Sequence, residues 1–218
     1  MGAHGAIFAA IAFILASPAA AQDLAAPAAA APGDPADCEF HVWPGDGLMS
    51  TYYGWFHGGI VNGQIEGRPG YPAIPPNPID TAMQATLLAE SGPETAMRQP
   101  DHRLIVHPEA LTSRAIRQAR ARLVESSSHC YAELIVDDVI LQTDWVNGSS
   151  LHILFHYRDF GPDALPRRTF ATWVDTHLST FPPRRPDQLE AAITEIRQAF
   201  RHNVALFAAA ANRPARNH

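Results

Sequence analysis

The stretch "YAELIVDDVILQTDWVNGSSLHILFHYRDF", Tyr131 to Phe160, constrains the fold more than any other. Two long runs rich in β-branched and aromatic residues flank Asn147-Gly148. Type I′ hairpin turns favour that dipeptide because both central residues take positive φ. In the second run Leu151, Ile153, Phe155 and Tyr157 alternate with His152 and His156, the period of a strand buried on one face. The adjacent acids Asp137 and Asp138 break the phase of the first run, which predicts a β-bulge there. The fold is therefore expected to centre on a sheet.

The flanking elements follow from periodicity and punctuation. "CEFHVW" alternates Glu39 and His41 against Phe40 and Val42, a half-buried strand that Pro44-Gly45-Asp46-Gly47 stops. Residues 44–78 form a Gly/Pro-rich excursion ending in "PAIPPNP" and read as irregular structure, a loop of functional length. Asp80 caps a helix with Met83, Leu87 and Leu88 on one face, and Gly92 follows its C-terminal end. "HRLIVH" reads as a short buried strand. In "TSRAIRQARARLV", Ile116, Ala119 and Leu123 have helical spacing with Ser113 as a candidate cap, and residues 112–123 stay ambiguous. "RRTFATWVDTHLSTF" begins strand-like and turns helix-like, with Trp173, His177 and Phe181 about one turn apart. Pro186-Asp187 opens the longest helix, whose stripe is Leu189, Ile193, Ile196, Phe200, Val204 and Phe207. The order predicts an α+β fold: one mixed sheet containing the Asn-Gly hairpin, packed by two to four helices including the long C-terminal amphipathic helix.

The N-terminus sets the expected compartment. Ala6 to Ala16 is an apolar run of about eleven residues, whereas a membrane-spanning helix needs about 20. Ser17-Pro18 follows, then Ala19 and Ala21 supply the small residues of a cleavage site, so residues 1–21 read as a signal peptide processed after Ala21. Its n-region carries no Lys or Arg between Met1 and Gly5. Cys38 stands too far behind the run to be a lipidated cysteine. Residues 22–37 are an Ala/Pro-rich spacer, 38–212 an expected single domain and 213–218 a disordered tail. A periplasmic or secreted location is expected, with no transmembrane segment. A net charge of -6 argues against a nucleic-acid partner.

Cys38 and Cys130 each precede a strand-like run, so they would sit at equivalent ends of two strands. Neighbouring parallel strands would bring them within bonding reach, and an oxidising compartment favours the disulfide. No CxxC accompanies them, so neither a metal ligand set nor a catalytic thiol is expected.

A first strand ending "VWP", then "CYAELIVDDV", then a strand returning as "HYRDFG" resembles, in element order, the small α+β domain of curli-secretion lipoproteins. Penicillin-binding-protein activator lipoproteins and the N-terminal domain of the Tol-system β-propeller protein share that domain. The resemblance spans roughly residues 38–210; the chain is also similar to uncharacterised exported proteins of Gram-negative envelopes. It departs in lacking the lipidated Cys, in its Ala/Pro spacer and in the long aromatic insertion after the first strand. The resemblance implies a non-catalytic assembly or accessory role.

The chemical motifs are mostly incomplete. "FHGG" is similar to the oxyanion loop of some esterases, but no G-x-S-x-G elbow accompanies it. His152 and His156 have the spacing of a helical zinc pair, yet on a strand four residues span about 13 Å. They read as exposed strand histidines. Asp137 and Asp138 read as solvated acids at a bulge, with acid/base work as the rival reading. Arg114, Arg117 and Arg120 read as a solvated face, with anion docking as the rival. "STYYGWFHGG" holds the strongest binding candidates: Tyr52, Tyr53, Trp55, Phe56 and His57, with Ser50 and Thr51 beside them. Its rings could stack on sugars or on a partner's side chains, while a satellite hydrophobic cluster under the loop is the alternative. The reading that results is an exported, soluble, non-enzymatic envelope protein that recognises a protein or glycan partner through loop 44–78. No cofactor, metal or catalytic residue is expected. The alternative is a periplasmic hydrolase of cell-wall or glycan material, which would bring His57 and Asp46 or Asp138 into one cleft. A carrier of a small ligand is the third class.

Overall fold

A computed structural model describes residues 38–53, 58–61, 77–144 and 147–214. Residues 1–37 and the candidates Trp55, Phe56 and His57 lie outside the described residues. Seven strands among the described residues form one mixed sheet, and the fold is α+β. The strands are β1 (Cys38–Trp43), β2 (Met49–Tyr53), β3 (Gly58–Val61), β4 (Arg103–Val106), β5 (Cys130–Asp144), β6 (Gly148–Gly161) and β7 (Arg168–Leu178). The helices are α1 (Thr81–Ser91), α2 (Pro93–Ala96), α3 (Ser113–Gln118) and α4 (Leu189–Ala211), with a 3₁₀ turn at Pro186–Gln188 leading into α4.

β5 is the axis of the sheet. Its first half pairs in parallel with β1, from Cys38 opposite Cys130 to Trp43 opposite Ile135. Its second half pairs in parallel with β2, from Met49 opposite Ile140 to Tyr53 opposite Asp144. β1 and β2 therefore lie end to end on one edge of β5, interrupted by residues 44–48. β4 extends the sheet beyond β1 in parallel, and β3 extends it beyond β2 antiparallel. The other edge of β5 carries the long hairpin partner β6, followed by β7. Register puts Cys38 beside Cys130 with Cα atoms 4.6 Å apart, and the two form a disulfide.

Between β1 and β2 the chain leaves the sheet and rejoins it in the same direction, passing Gly47, whose φ of +96° suits a residue without Cβ. Gly45 approaches so closely that an added Cβ would lie 3.1 Å from Val136 Cγ1, and its N–H donates to Gln84 Oε1 at 2.8 Å. That bond satisfies the wholly buried Gln84 of α1 and fixes the helix against the strand break. Asp80 caps α1 by accepting from the Met83 N–H at 2.7 Å, and left-handed Gly92 ends it, both as predicted.

The apolar sides of β1, β5 and β6 meet α1 and α4 in the main core. Phe40, Leu134, Val139, Ile153 and Phe155 from the sheet pack with Leu88, Ile196, Phe200 and Phe207 from the helices. α4 buries positions 192, 196, 199, 200, 203, 204 and 207, the predicted stripe from Ile196 onward, whereas its first two predicted members differ: Leu189 is 39% exposed and Ile193 half-buried. Asn203 lies wholly buried within that stripe. Its Nδ2 donates to Leu151 O at 2.9 Å and its Oδ1 accepts from Thr176 Oγ1 at 2.6 Å, tying α4 to β6 and β7.

Four expectations are corrected. Residues 44–78 are not wholly irregular, because "MSTYY" supplies a β-rich run that finds the free edge of β5. The segment 168–178 is strand throughout, with Phe170, Val174 and Leu178 facing α4. Trp173 and His177 are four apart, an even number, so they share a strand face as readily as a helix face. α3 ends at Gln118 and is capped by Thr112, whose Oγ1 accepts from the Ala115 N–H at 3.2 Å. Gly148 has the expected positive φ, 81°, but pairs with Asp144, so Asn147-Gly148 is not the centre of a two-residue turn.

Candidate functional site

The second face of the sheet, away from α1 and α4, is divided. Over β1 and the first half of β5 it is sealed by the segment running from His107 through α3 to His129. Trp43, Ile135 and Ile116 form a small apolar cluster there with Leu111, Leu123 and Val124. Beside it lies an ion pair: Glu133 is wholly buried and bonds Arg158, itself 8% exposed. Glu133 Oε1 accepts from the Leu123 N–H at 2.7 Å and the Tyr131 hydroxyl at 2.8 Å. Arg158 Nη1 donates to Ala119 O at 3.0 Å. Burial raises the Glu133 carboxyl above the ordinary carboxylate range, against the opposing pull of Arg158. His41 Nε2 lies 3.2 Å from Glu39 Oε2 and its Nδ1 lies 2.9 Å from His107 Nε2. Burial is the main cause lowering both histidines. This half of the face is a packed, polar interior.

Over the other half no element among the described residues packs. Cross-strand rows run Asp138–Leu154–Trp173, then Ile140–His152–Asp175, then Gln142–Ser150–His177. Residues in such rows have Cβ atoms about 5 Å apart on a common face. The β5 and β6 members are half-buried, and the β7 members, with Ala171, are exposed. Trp173 is 46% exposed, large for an indole held on a sheet. One aromatic ring thus stands beside Leu154 and Ala171, with Asp175 and the half-buried His152 in the next row.

The bulge sets the margin of this surface. Val136 pairs with Phe155 and Asp138 with Leu154, so Asp137 is the extra residue. Before it, Leu134 and Val136 face the helices; after it, Val139 and Leu141 do, and both acids turn to the second face. Asp137 is not solvated as expected. Its side chain is 1% exposed, accepting from Ser113 Oγ at 2.5 Å and from His156 Nε2 at 3.0 Å. His156 is accordingly a hydrogen-bond partner, 23% exposed, rather than an exposed strand histidine. His152 is half-buried. Asp138, Asp46 and Ser113 line a cleft of about 360 Å³ with Asp137. Burial, and then the neighbouring Asp137, raise the Asp138 carboxyl above the ordinary range. The Ser113–Asp137–His156 chain is not a nucleophilic triad. The carboxylate stands in the middle, so no imidazole takes the serine proton.

Two of the predicted binding residues, Tyr52 and Tyr53, are placed on β2 by backbone pairing, opposite Thr143 and Asp144. Trp55, Phe56 and His57 lie outside the described residues, so the structure brings only Asp46 and Asp138 of the predicted catalytic set together. Arg114, Arg117 and Arg120 are exposed. Sequence reasoning missed Trp173 as a surface residue and Ser113 as the partner of Asp137. The signal for Glu133 was present: an acid inside the apolar run "AELIV" requires a buried cation. No helix among the described residues is long and apolar enough to cross a membrane.

No family model and no curated protein matches the chain. It is similar to the crystal structure of an uncharacterised protein, at 10% identity, covering 80% of this chain and 92% of the other with a TM-score of 0.39. It is also similar to protein XCC0632 from Xanthomonas campestris, of the DUF330 family. There identity is 13%, coverage 78% and 81%, and the TM-score 0.36.

Proposed function

We propose that the protein is exported to the cell envelope and binds a glycan there, without catalysis, through the open half of its sheet. The carrying observation is Trp173, 46% exposed on a three-strand surface that no element among the described residues covers beyond Asp138. An indole face stacks on the apolar face of a pyranose ring. Asp175, two residues along β7, and His152, diagonal to the indole on β6, supply donors and acceptors for its hydroxyls, and His177 stands a further row away, about 13 Å along the strand. A protein-docking core would instead be apolar and depleted of charge. The disulfide supports an oxidising compartment, and the apolar run with its Ala19/Ala21 site supports export. Tyr52 and Tyr53, the described members of the aromatic stretch, lie on β2 of the same sheet, opposite Thr143 and Asp144.

The test is sedimentation of the mature protein with purified insoluble peptidoglycan. Wild type should pellet with it, and Trp173→Ala should weaken capture about 30-fold, the equivalent of a 2 kcal/mol hot spot. The melting temperature should fall by no more than a few degrees, because about half of the residue's surface is already exposed. Unchanged capture by Trp173→Ala, or absence of capture by wild type, removes the proposal. A second reading, a glycan hydrolase, rests on Asp138, whose carboxyl burial raises beside Asp137 at the edge of this face. Release of soluble sugar from the same pellet, lost in Asp138→Asn, would favour it.

A further inference from the structure

The disulfide has a third neighbour. His102, in the turn before β4, presents a ring nitrogen that lies with Cys38 Sγ and Cys130 Sγ inside one cluster, every pair within 4.8 Å. Its Nδ1 is buried and has no hydrogen-bond partner among the described residues. All three residues are half-buried, so small reagents reach them while the surrounding backbone is held by the β1–β5 ladder and by the His102 N–H bond to Gln99 O. Nothing in the sequence pattern joins them: His102 is remote from both cysteines, and only the parallel register of β1 with β4 and β5 assembles the set.

We propose that reduction of the Cys38–Cys130 bridge opens a Cys₂His site for a thiophilic d¹⁰ cation, with His102 as third ligand. A dithiol reductant supplies two electrons and two protons. The S–S bond breaks, two thiols form, and the reductant closes to its own disulfide. Cation binding then displaces both thiol protons and leaves two thiolates and a neutral imidazole on the ion, with one position for water on Zn²⁺. Tetrahedral zinc with Zn–S of about 2.3 Å and Zn–N of about 2.0 Å sets its ligand atoms roughly 3.5–3.8 Å apart. The imidazole nitrogen is therefore at most about 1.3 Å beyond that spacing from either sulfur, and the sulfurs reach it by separating about 1.7 Å from disulfide length. In the oxidised protein the sulfurs are spent on each other and the site is closed.

The experiment uses the full mature chain, oxidised or reduced with dithiothreitol and desalted without oxygen, titrated with Co²⁺ as a spectroscopic probe. Reduced protein should bind one Co²⁺ with thiolate charge-transfer bands and tetrahedral d–d bands, and Zn²⁺ or Cu⁺ should displace it, the order of displacement separating the two cations. Oxidised protein should show neither band. His102→Ala, reduced alike, should bind at least about tenfold more weakly and with altered d–d bands. Reduced wild type that binds no Co²⁺, oxidised protein that binds it, or His102→Ala identical to wild type would each overturn the proposal. The last result includes the case in which reduction unfolds the chain and loose thiols capture the metal. Near-UV circular dichroism of each sample identifies that case.

Discussion

Replacing both cysteines by alanine tests what the bridge contributes to the fold. Cys38 and Cys130 are separated by 92 residues, and the bond ties the first strand of the sheet to its axis. In the chain-entropy model a closed loop of that length removes about 16 cal/mol/K from the unfolded ensemble, or about 4.6 kcal/mol at 25 °C. For a chain of this size each kcal/mol moves the melting temperature by about 2–4 °C, so Cys38→Ala/Cys130→Ala should melt roughly 9–18 °C below wild type. Chemical denaturation of the variant and of oxidised wild type, with linear extrapolation, measures the free-energy difference directly. Most of the effect should appear as a change in midpoint. The denaturant slope of oxidised wild type should be the smaller, because its cross-linked unfolded chain exposes less surface. A loss under about 1.5 kcal/mol would refute the reasoning, since it would mean that the unfolded chain already holds the two strands together.

Two further outcomes follow from the polar groups on the second face. Glu133→Gln strands Arg158 in the interior and should cost about 3–5 kcal/mol in urea unfolding, while Glu133→Leu/Arg158→Met should recover most of it; a single-variant loss under about 1 kcal/mol would show that no buried charge depends on Glu133. Asp138→Asn should raise the melting temperature at pH 7 and lose that advantage in acid. The folded carboxyl titrates above its unfolded value, so the penalty in wild type is absent below about pH 3.9 and grows as pH rises through the folded value. Melting curves of both proteins from pH 3 to pH 8 check the sign, and a neutral-pH loss of stability in Asp138→Asn would reverse it.

The elements with unambiguous periodicity were legible in the sequence. The hairpin, its bulge, the capped helix α1 and the stripe of α4 are each determined by side chains a few residues apart. The disulfide was legible for the same reason, because both cysteines open strands and strands of one sheet meet at their ends. What stayed illegible is what two periods share. Trp173, His177 and Phe181 are spaced by four, which a helix and a strand both place on one side, so the outward tryptophan of β7 was read as the face of a helix. The excursion after β1 hid β2 because a strand of five residues becomes stable only where an unpaired edge awaits it, and that edge is the second half of β5, about ninety residues later in the chain.

That same edge borders the cleft at the margin of the proposed surface. β1 stops at Trp43 and β2 begins at Met49, and level with this gap β5 carries the extra residue Asp137 on its opposite edge, against β6. One inserted residue flips the parity of β5, which keeps Val139 and Leu141 in the core and turns two carboxyls the other way. Ser113 and His156 then satisfy Asp137, leaving Asp138 at the cleft with its carboxyl raised by burial. The segment that seals the second face reaches only as far as this bulge, because α3 is anchored there through Ser113. Beyond it β6 carries His152 and β7 carries Asp175 and Trp173, a mixed polar and aromatic set that the proposed glycan surface would use. Extending β1 by deleting residues 44–48 should therefore damage both properties at once: the Gly45 contact that satisfies Gln84 in the core, and the cleft that Asp46 lines at the margin of the open face.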